Sequence, residues 1–527
     1  MKRTKSVLLA LSIAAITTLT PKFLHAQDAA ALVHPTPDSW PMYHGDYSGQ
    51  RHSPLKQITP ANVKDLTLAW AFQTKQNSGL KASPILVDGI LYFTVPDHIW
   101  AIDARSGHQI WQFNGTPNKA FHIGHRGVSI YRGWLYYMSP DDHVLCLDAK
   151  NGKVRWDVVV ADYTKGVWAT MAPLIVGNHV MIGVSGDFDN LQGFVRSLDP
   201  DTGATQWEWD ATPPVGTSRA TTGGNVWMTG TYDPDLNLVY WGTGNPSPVL
   251  NGKPRPGDDL YTCSIVALNP DTGKLAWAFQ PSPHDTHDWD AVEIPVLADG
   301  DFGGEKKKML MQTSRNGYFF VLDRTNGKNL LTTTFGPVNW SLGVDKQGRP
   351  IPNPDKEPAQ DGRLIAPDEG GMTNYRSPSF DHKLGLFLVS ASPSYSLYFS
   401  KPADGGYGWA GADYGLWSDG FLEAIDYHTG KVRWSHRLSG RSGAGVLSTD
   451  SGITFTGDAT GNFLALDTTD GKTLWHAGTG GHIDSSPITY ELDGKQVVLI
   501  GSDGVMFAWT LPETADRTKT TATKHGL

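Results

Sequence analysis

One element recurs along the chain and limits what it can fold into. It is a short apolar run, an Asp or Asn, three residues, a Gly, and a second run that carries a Trp. Its copies are Asp103-Ala-Arg-Ser-Gly107 with Trp111, Asp148-Ala-Lys-Asn-Gly152 with Trp156, and Asp199-Pro-Asp-Thr-Gly203 with Trp207. Next come Asn269-Pro-Asp-Thr-Gly273 with Trp277, and Asp323-Arg-Thr-Asn-Gly327 with Leu331 in the Trp place. Asp426-Tyr-His-Thr-Gly430 with Trp434 and Asp467-Thr-Thr-Asp-Gly471 with Trp475 complete the set. Each copy reads as a β-hairpin: the Asp side chain caps its own turn and the Gly takes a positive φ. Successive Trp positions lie roughly 41–54 residues apart, stretching to about 70 and 103 where Pro- and Gly-rich insertions intervene. About 45 residues is the length of one four-stranded propeller blade. An eighth Trp strand, Leu66-Thr-Leu-Ala-Trp70, stands at the start without a hairpin partner. The expectation is an all-β, eight-bladed β-propeller over residues 38–511. Each Trp ends an outer strand and packs between neighbouring blades, and the Trp70 strand completes the last blade so that no sheet edge is left open.

Composition agrees with a turn-rich β protein. The 58 Gly and 34 Pro are scattered through the chain rather than gathered in a tail,. Two Cys exclude a disulfide scaffold, an iron–sulfur protein and a four-cysteine zinc site, and both fall in strand-like runs, which predicts buried free thiols,. A net charge of −9 argues against a nucleic-acid partner,. Lys2, Arg3 and Lys5 precede the apolar run Val7–Ile16, and a small residue, Ala26, follows. That is the build of a secretory leader over residues 1–26, too short to span a bilayer, and it places the mature chain in the periplasm. No later run is long and apolar enough to cross a membrane, and residues 512–527 read as a flexible tail. The insertions at 210–262 and 336–378 carry Trp227, Trp241 and Trp340 and read as long functional loops on one face of the ring,.

Within one stretch, His284, Asp285, His287, Asp288 and Asp290 crowd together. Three readings stay open at this point: a zinc site, a polar loop tying two blades by hydrogen bonds, or carboxylates that serve chemistry. The hairpin lysines Lys306, Lys307 and Lys308 read as a solvated turn.

Longer strings carry a family likeness. Thr231-Tyr-Asp-Pro-Asp-Leu-Asn-Leu-Val-Tyr-Trp-Gly-Thr-Gly-Asn-Pro246, Pro283-His-Asp-Thr-His-Asp-Trp-Asp290, Arg315-Asn-Gly-Tyr-Phe-Phe-Val-Leu-Asp-Arg324 and Gly494-Lys-Gln-Val-Val498 resemble the quinoprotein alcohol dehydrogenases. Those proteins hold pyrroloquinoline quinone (PQQ) and a metal ion on the axis of an eight-bladed propeller. The resemblance implies Asp288 as catalytic base and as a metal ligand with Asn245 and Asp290, Asp290 being the extra carboxylate of lanthanide-using members. It implies Trp227 as the ring under the planar quinone, and Arg126, Thr170, Arg315 and Asn374 as its polar contacts. The chemistry asks for these types: three cofactor carboxylates need cationic and hydroxyl donors, and a calcium or lanthanide ion needs oxygen ligands. A base that shares a cation stays ionised at neutral pH.

Four positions depart from the family pattern. Ala120-Phe121 stands for a vicinal Cys pair, Lys81 for a Glu that bonds PQQ, and Phe188 for a Glu ligand of the metal, with Asp187 and Asp189 beside it. Ser442-Gly443-Ala444 stands for a Trp. Two functions follow. One is a PQQ-dependent dehydrogenase of an alcohol or sugar, handing electrons to a separate cytochrome c or quinone, since the chain has no Cys-x-x-Cys-His haem motif,. The other is a non-catalytic propeller that binds a protein or glycan, favoured by Lys81, Phe121 and Phe188.

Overall fold

The repeated turn is built the same way each time. In a computed structural model that describes residues 29–116, 118–121, 123–186, 191–212, 222–402, 408–441 and 443–512, Asp103 Oδ1 accepts the backbone N–H of Arg105 and Ser106. Asp199, Asn269 and Asp426 cap their turns alike. The seven turn glycines take φ between +67° and +74°, where a Cβ is strained. A second constraint falls on most of them. A Cβ on Gly107, Gly152, Gly203, Gly273, Gly327 or Gly471 would stand 2.5–3.0 Å from the side chains of the preceding sheet, chiefly its repeat Trp.

That contact joins the sheets. Trp70, Trp111, Trp156, Trp207, Trp277 and Trp434 each donate Nε1–H to the carbonyl following the next turn's Asp or Asn, at 2.7–3.2 Å. Leu331 has no such donor, and Gly430 there faces Thr333 and Leu331 instead. The expected Trp at a strand end needs correction: Gln109–Asn114 and Thr67–Gln73 run three residues past Trp111 and Trp70. A β-bulge sits beside the Trp in these outer pairs, and beside Leu331 as well. The extra residue twists the strand and re-aims the ring toward the next sheet.

Among the described residues, eight sheets are antiparallel meanders of four strands, one extended by the short strand His52–Ser53. Thr67–Gln73 pairs with Val505–Thr510, so the last sheet in sequence takes its outer strand from near the start of the chain. The innermost, first strands are almost wholly buried, as in Ile85–Val87 and Leu386–Ala391 beside Ser379–Asp381, and the apolar clusters lie between sheets. Among the described residues helix is confined to Ala29–Val33 and three 3-10 turns.

Residues 37–53 form a strap over the first strands. It bonds in turn to Leu86, Ile175, Tyr232, Leu297, Phe380, Ser448 and Glu491, each in a different sheet. Arg51 is its plug. Its guanidinium, 1% exposed with its residue, donates to the carbonyls of Tyr43, Val446 and Pro487 and to Ser83 Oγ.

The segment 210–262 is not one long loop, because it contains the first two strands of a sheet, Thr231–Asp233 and Leu238–Gly242, turned by Asp233. Likewise 336–378 holds the hairpin Ser341–Val344 with Pro350–Pro352, and a strand, Arg363–Ile365, that joins Ser394–Ser400 and Gly411–Ser418 in a three-stranded sheet. Cys146 and Cys263 are buried and unbridged. The expected leader (1–26) and, save Pro512, the tail (512–527) lie outside the described residues.

Candidate active site

The segments leading into successive first strands converge on one cavity of about 240 Å³. Arg126 precedes Ser129–Tyr131, Thr170 precedes Leu174–Val176, Trp227 precedes Thr231–Asp233, Asp288 and Asp290 precede Val296–Phe302, and Asn374 precedes Ser379–Asp381. Asn245 follows Leu238–Gly242, and Arg315 lies in the turn between Glu305–Thr313 and Tyr318–Asp323. All eight residues named from the sequence line this cavity.

Asp288 is held in a left-handed backbone conformation, φ +68°, which is uncommon for a residue with a Cβ and has to be stabilised by its surroundings. Asp285 does this: its Oδ2 accepts the N–H of Asp288 at 3.0 Å and of Trp289 at 3.2 Å. Trp289 is fully buried, donates to the Asp368 carbonyl at 2.9 Å, and stacks on His287 at 4.2 Å. His287 Nε2 meets the Lys356 carbonyl and His284 Nδ1 the Gly257 carbonyl. The zinc reading of this stretch therefore fails in geometry, since its imidazoles diverge to backbone oxygens. Among the described residues, the His, Cys, Asp and Glu side chains gather for a metal only at His52, His382 and Asp450, where Lys56 and Lys383 already pair with Asp450.

One end of the cavity is a carboxylate cluster around a guanidinium. Arg315 lies 2.7 Å from Asp288, 2.8 Å from Asp290 and 3.2 Å from Glu369. Burial works against its charge, but Asp288, Asp290 and Glu369 outweigh that and hold it protonated more firmly than an ordinary arginine. Asp290 also accepts from Asn245 N at 2.5 Å and Trp227 Nε1 at 2.9 Å, so it ties three site residues together. Asn245 donates its amide to the Pro246 carbonyl, and its Oδ1 accepts no hydrogen bond among the described residues.

The other end is cationic and aromatic. The Arg126 guanidinium lies 4.8 Å over Trp227 and 4.8 Å over Tyr375. One face of Trp227 is thus covered by Arg126. Thr170 Oγ1 meets the Trp227 carbonyl and Ser185. Asn374 spends its amide on its own loop, donating to Gly370 O and accepting from Tyr375 N. Lys81 lines the same end. Phe121 is half exposed and packs on Trp168 at 4.9 Å. Asp187, Phe188, Asp189 and Ser442 lie outside the described residues.

Sequence reasoning missed Tyr375, Glu369, Trp168, Ser185, Asn225 and Trp409, which also line the cavity. Adjacency to Asn374 was the one available signal for Tyr375. Glu369 sits in an Asp-Glu-Gly-Gly turn that reads as ordinary loop.

The donor set can be tested against a planar tricarboxylate and a hard cation. Among the described residues Arg126 Nε is buried without a partner, an unsatisfied donor that a ligand oxygen would complete,. Asn245 Oδ1 and the Asp288 and Asp290 carboxylates offer the oxygens a hard cation requires. The residues fit both groups.

Buried titratable groups fix the pH response of the fold. Burial pulls His44 and His125 down to about 3 and His287 to about 4. Burial pushes Asp142 up to about 8 and Glu423 to about 7. The histidines are neutral when folded and bind protons when unfolded, so stability falls as pH drops below about 6.5. The carboxyls keep protons that the unfolded chain releases at about pH 4, so their contribution to stability falls as pH rises from about 4 and is lost by about pH 8,. Melting temperature, read by calorimetry, is expected to fall between about pH 6.5 and 8, where the histidines no longer oppose the carboxyls, and Asp142→Asn is expected to flatten that limb,.

Comparison with known proteins agrees with this site. Residues 40–346 match the family described as PQQ, the glucose/ethanol/alcohol dehydrogenase β-propeller domain, and residues 418–518 match one described as outer membrane protein assembly factor BamB. The quinohemoprotein alcohol dehydrogenase of Comamonas testosteroni is 34% identical over 513 residues, covering 88% of this chain and 72% of that protein. Its crystal structure superposes with a TM-score of 0.86, over 94% of this chain and 84% of that one, at 30% identity. The quinoprotein alcohol dehydrogenase PedH of Pseudomonas putida is 33% identical over 515 residues, covering 88% of this chain and 86% of its own. A europium-containing methanol dehydrogenase gives a TM-score of 0.85 at 27% identity, covering 91% of this chain and 99% of that one. The fold is that of a PQQ β-propeller. The chain belongs to the quinoprotein alcohol dehydrogenase family.

Proposed function

We propose that this protein is a PQQ-dependent dehydrogenase that oxidises an alcohol or sugar. One observation carries the reading: the eight side chains named from the sequence, spread over 248 positions from Arg126 to Asn374, meet in a single cavity with a cationic aromatic end and a carboxylate end. When bound, the quinone supplies a hydride acceptor, and the ion, calcium or a lanthanide, supplies Lewis-acid polarisation. The chain's own residues do the rest. Asp288 takes the proton of the substrate hydroxyl, and Arg315, 2.7 Å away, aims that carboxylate,. Asn245, Asp288 and Asp290 hold the ion. Arg126, Thr170, Trp227, Arg315 and Asn374 hold the cofactor, while Trp168 and Trp409 wall it from water.

The same reading takes each four-stranded sheet as one blade of an eight-bladed ring over residues 38–511. It takes residues 1–26 as an export leader, the periplasm as the site of action, and a separate cytochrome c or quinone as electron acceptor. No helix among the described residues is long and apolar enough to cross a membrane. The binding-module alternative loses one support, because Phe121 is half exposed and is not among the residues that line the cavity.

The test is direct. PQQ with Ca²⁺ or La³⁺ is expected to raise the melting temperature, because a ligand of the native state stabilises it. The loaded protein is expected to reduce a dye with a panel of alcohols. No shift and no reduction with either ion would remove the proposal.

A further inference from the structure

A cation stands where the family places a carboxylate, and the structure has made room for it. The Lys81 stem packs on Gly124, whose φ is +145°. A Cβ at that glycine would lie 2.5 Å from Lys81 Cδ, so the side chain is steered into the cavity. Its Nζ sits 5.6 Å from the Tyr375 ring centre. Arg126 lies 4.8 Å and Arg376 4.7 Å from the same ring. Three cations thus surround one aromatic side chain. Asp484 is the nearby carboxylate; it attracts Lys81 but is bonded by Arg376 at 2.7 Å and lies 3.3 Å from His482. Among the described residues Lys81 makes no ion pair, and Arg126 Nε has no partner.

Like charges crowded in a partly dry site repel, and unsatisfied buried donors are costly. Such an arrangement is stable when an anion completes it. The Trp227 and Tyr375 rings that pack on Arg126 make this end of the cavity aromatic, which suits an anion carried by a planar molecule better than a small flexible alcohol,.

We propose that Lys81 is a cofactor-binding residue, which together with Arg126 clamps a carboxylate of the planar quinone, and that this chain thereby replaces the contact its relatives make through Glu. The inference rests on the PQQ reading above. It is tested by fluorescence titration of the full chain with PQQ in excess Ca²⁺, and again in La³⁺, with no alcohol present. Lys81→Met, which keeps the stem and removes the charge, is expected to weaken PQQ binding about tenfold or more, as loss of one charge-assisted contact in a partly buried site should. Lys81→Arg is expected to stay within a few-fold of the parent. Raising the salt concentration should weaken the parent more steeply than Lys81→Met. Without PQQ, Lys81→Met is expected to melt at or above the parent temperature, because repulsion is relieved; a merely structural lysine would lower it. If the parent binds PQQ and Lys81→Met binds it equally well, the clamp is wrong while the dehydrogenase reading stands. If the lysine variant loses only affinity for an acidic alcohol in the loaded enzyme, the anion held is the substrate's and the clamp is again wrong. If the parent takes up no PQQ with either ion, both fall together.

Discussion

Asp288→Asn is expected to lose turnover by about three orders of magnitude, the scale of a general base removed from a positioned site. The substitution is nearly isosteric, and the Asp285 cap binds the backbone N–H of residue 288 rather than its side chain. The left-handed turn should therefore survive, and PQQ affinity should change only a few-fold. Dye-linked kcat beside a PQQ titration separates these outcomes. Normal turnover would move the base elsewhere, and Glu369, the third carboxylate on Arg315, would be the next group to replace.

Arg315→Met is expected to have the larger effect on stability. It strands two buried carboxylates, Asp288 and Asp290, without their cation. Breaking one side of a buried ion pair costs about 3–5 kcal/mol, because it leaves a buried charge without its counter-charge. Urea unfolding should show this loss. Added Ca²⁺ or La³⁺ should restore more stability to the variant than to the parent, since the ion supplies the positive charge that the guanidinium held. Arg315→Lys should recover part of the loss only, as a single ammonium cannot copy a guanidinium that holds Asp290 through one nitrogen and Asp288 with Glu369 through another,. Equal response to the ions in both proteins would mean that the carboxylates are not where the ion binds.

How much of this was legible beforehand depends on repetition. The hairpin with its Gly and Trp was readable because one physical problem, docking a sheet on the next, is solved many times with the same residues. Even the exception at Leu331 keeps the bulge. The strap at 37–53 solves its problem once, with seven different contacts, and leaves no period to find. The cavity residues were readable through long family strings, as with Asn245, Asp288 and Asp290. Arg126 over Trp227 was not, because ring-face contacts depend on segments about a hundred residues apart approaching at a given angle. Tyr375 and Glu369 sit in loops whose sequence has no pattern of its own. The segments 210–262 and 336–378 were taken for loops because Gly and Pro mask short strands. Their pairing is set by partners elsewhere, as Arg363–Ile365 is by Ser394–Ser400.

The pairing of Thr67–Gln73 with Val505–Thr510 bears on how the molecule is made and lost. The outer strand Thr67–Gln73 must travel with its edge bare until Val505–Thr510 has been made, which slows assembly and invites wrong partners,. Once that clasp shuts, no cut in the chain leaves two self-sufficient halves, so heat should dismantle the whole at one temperature rather than sheet by sheet.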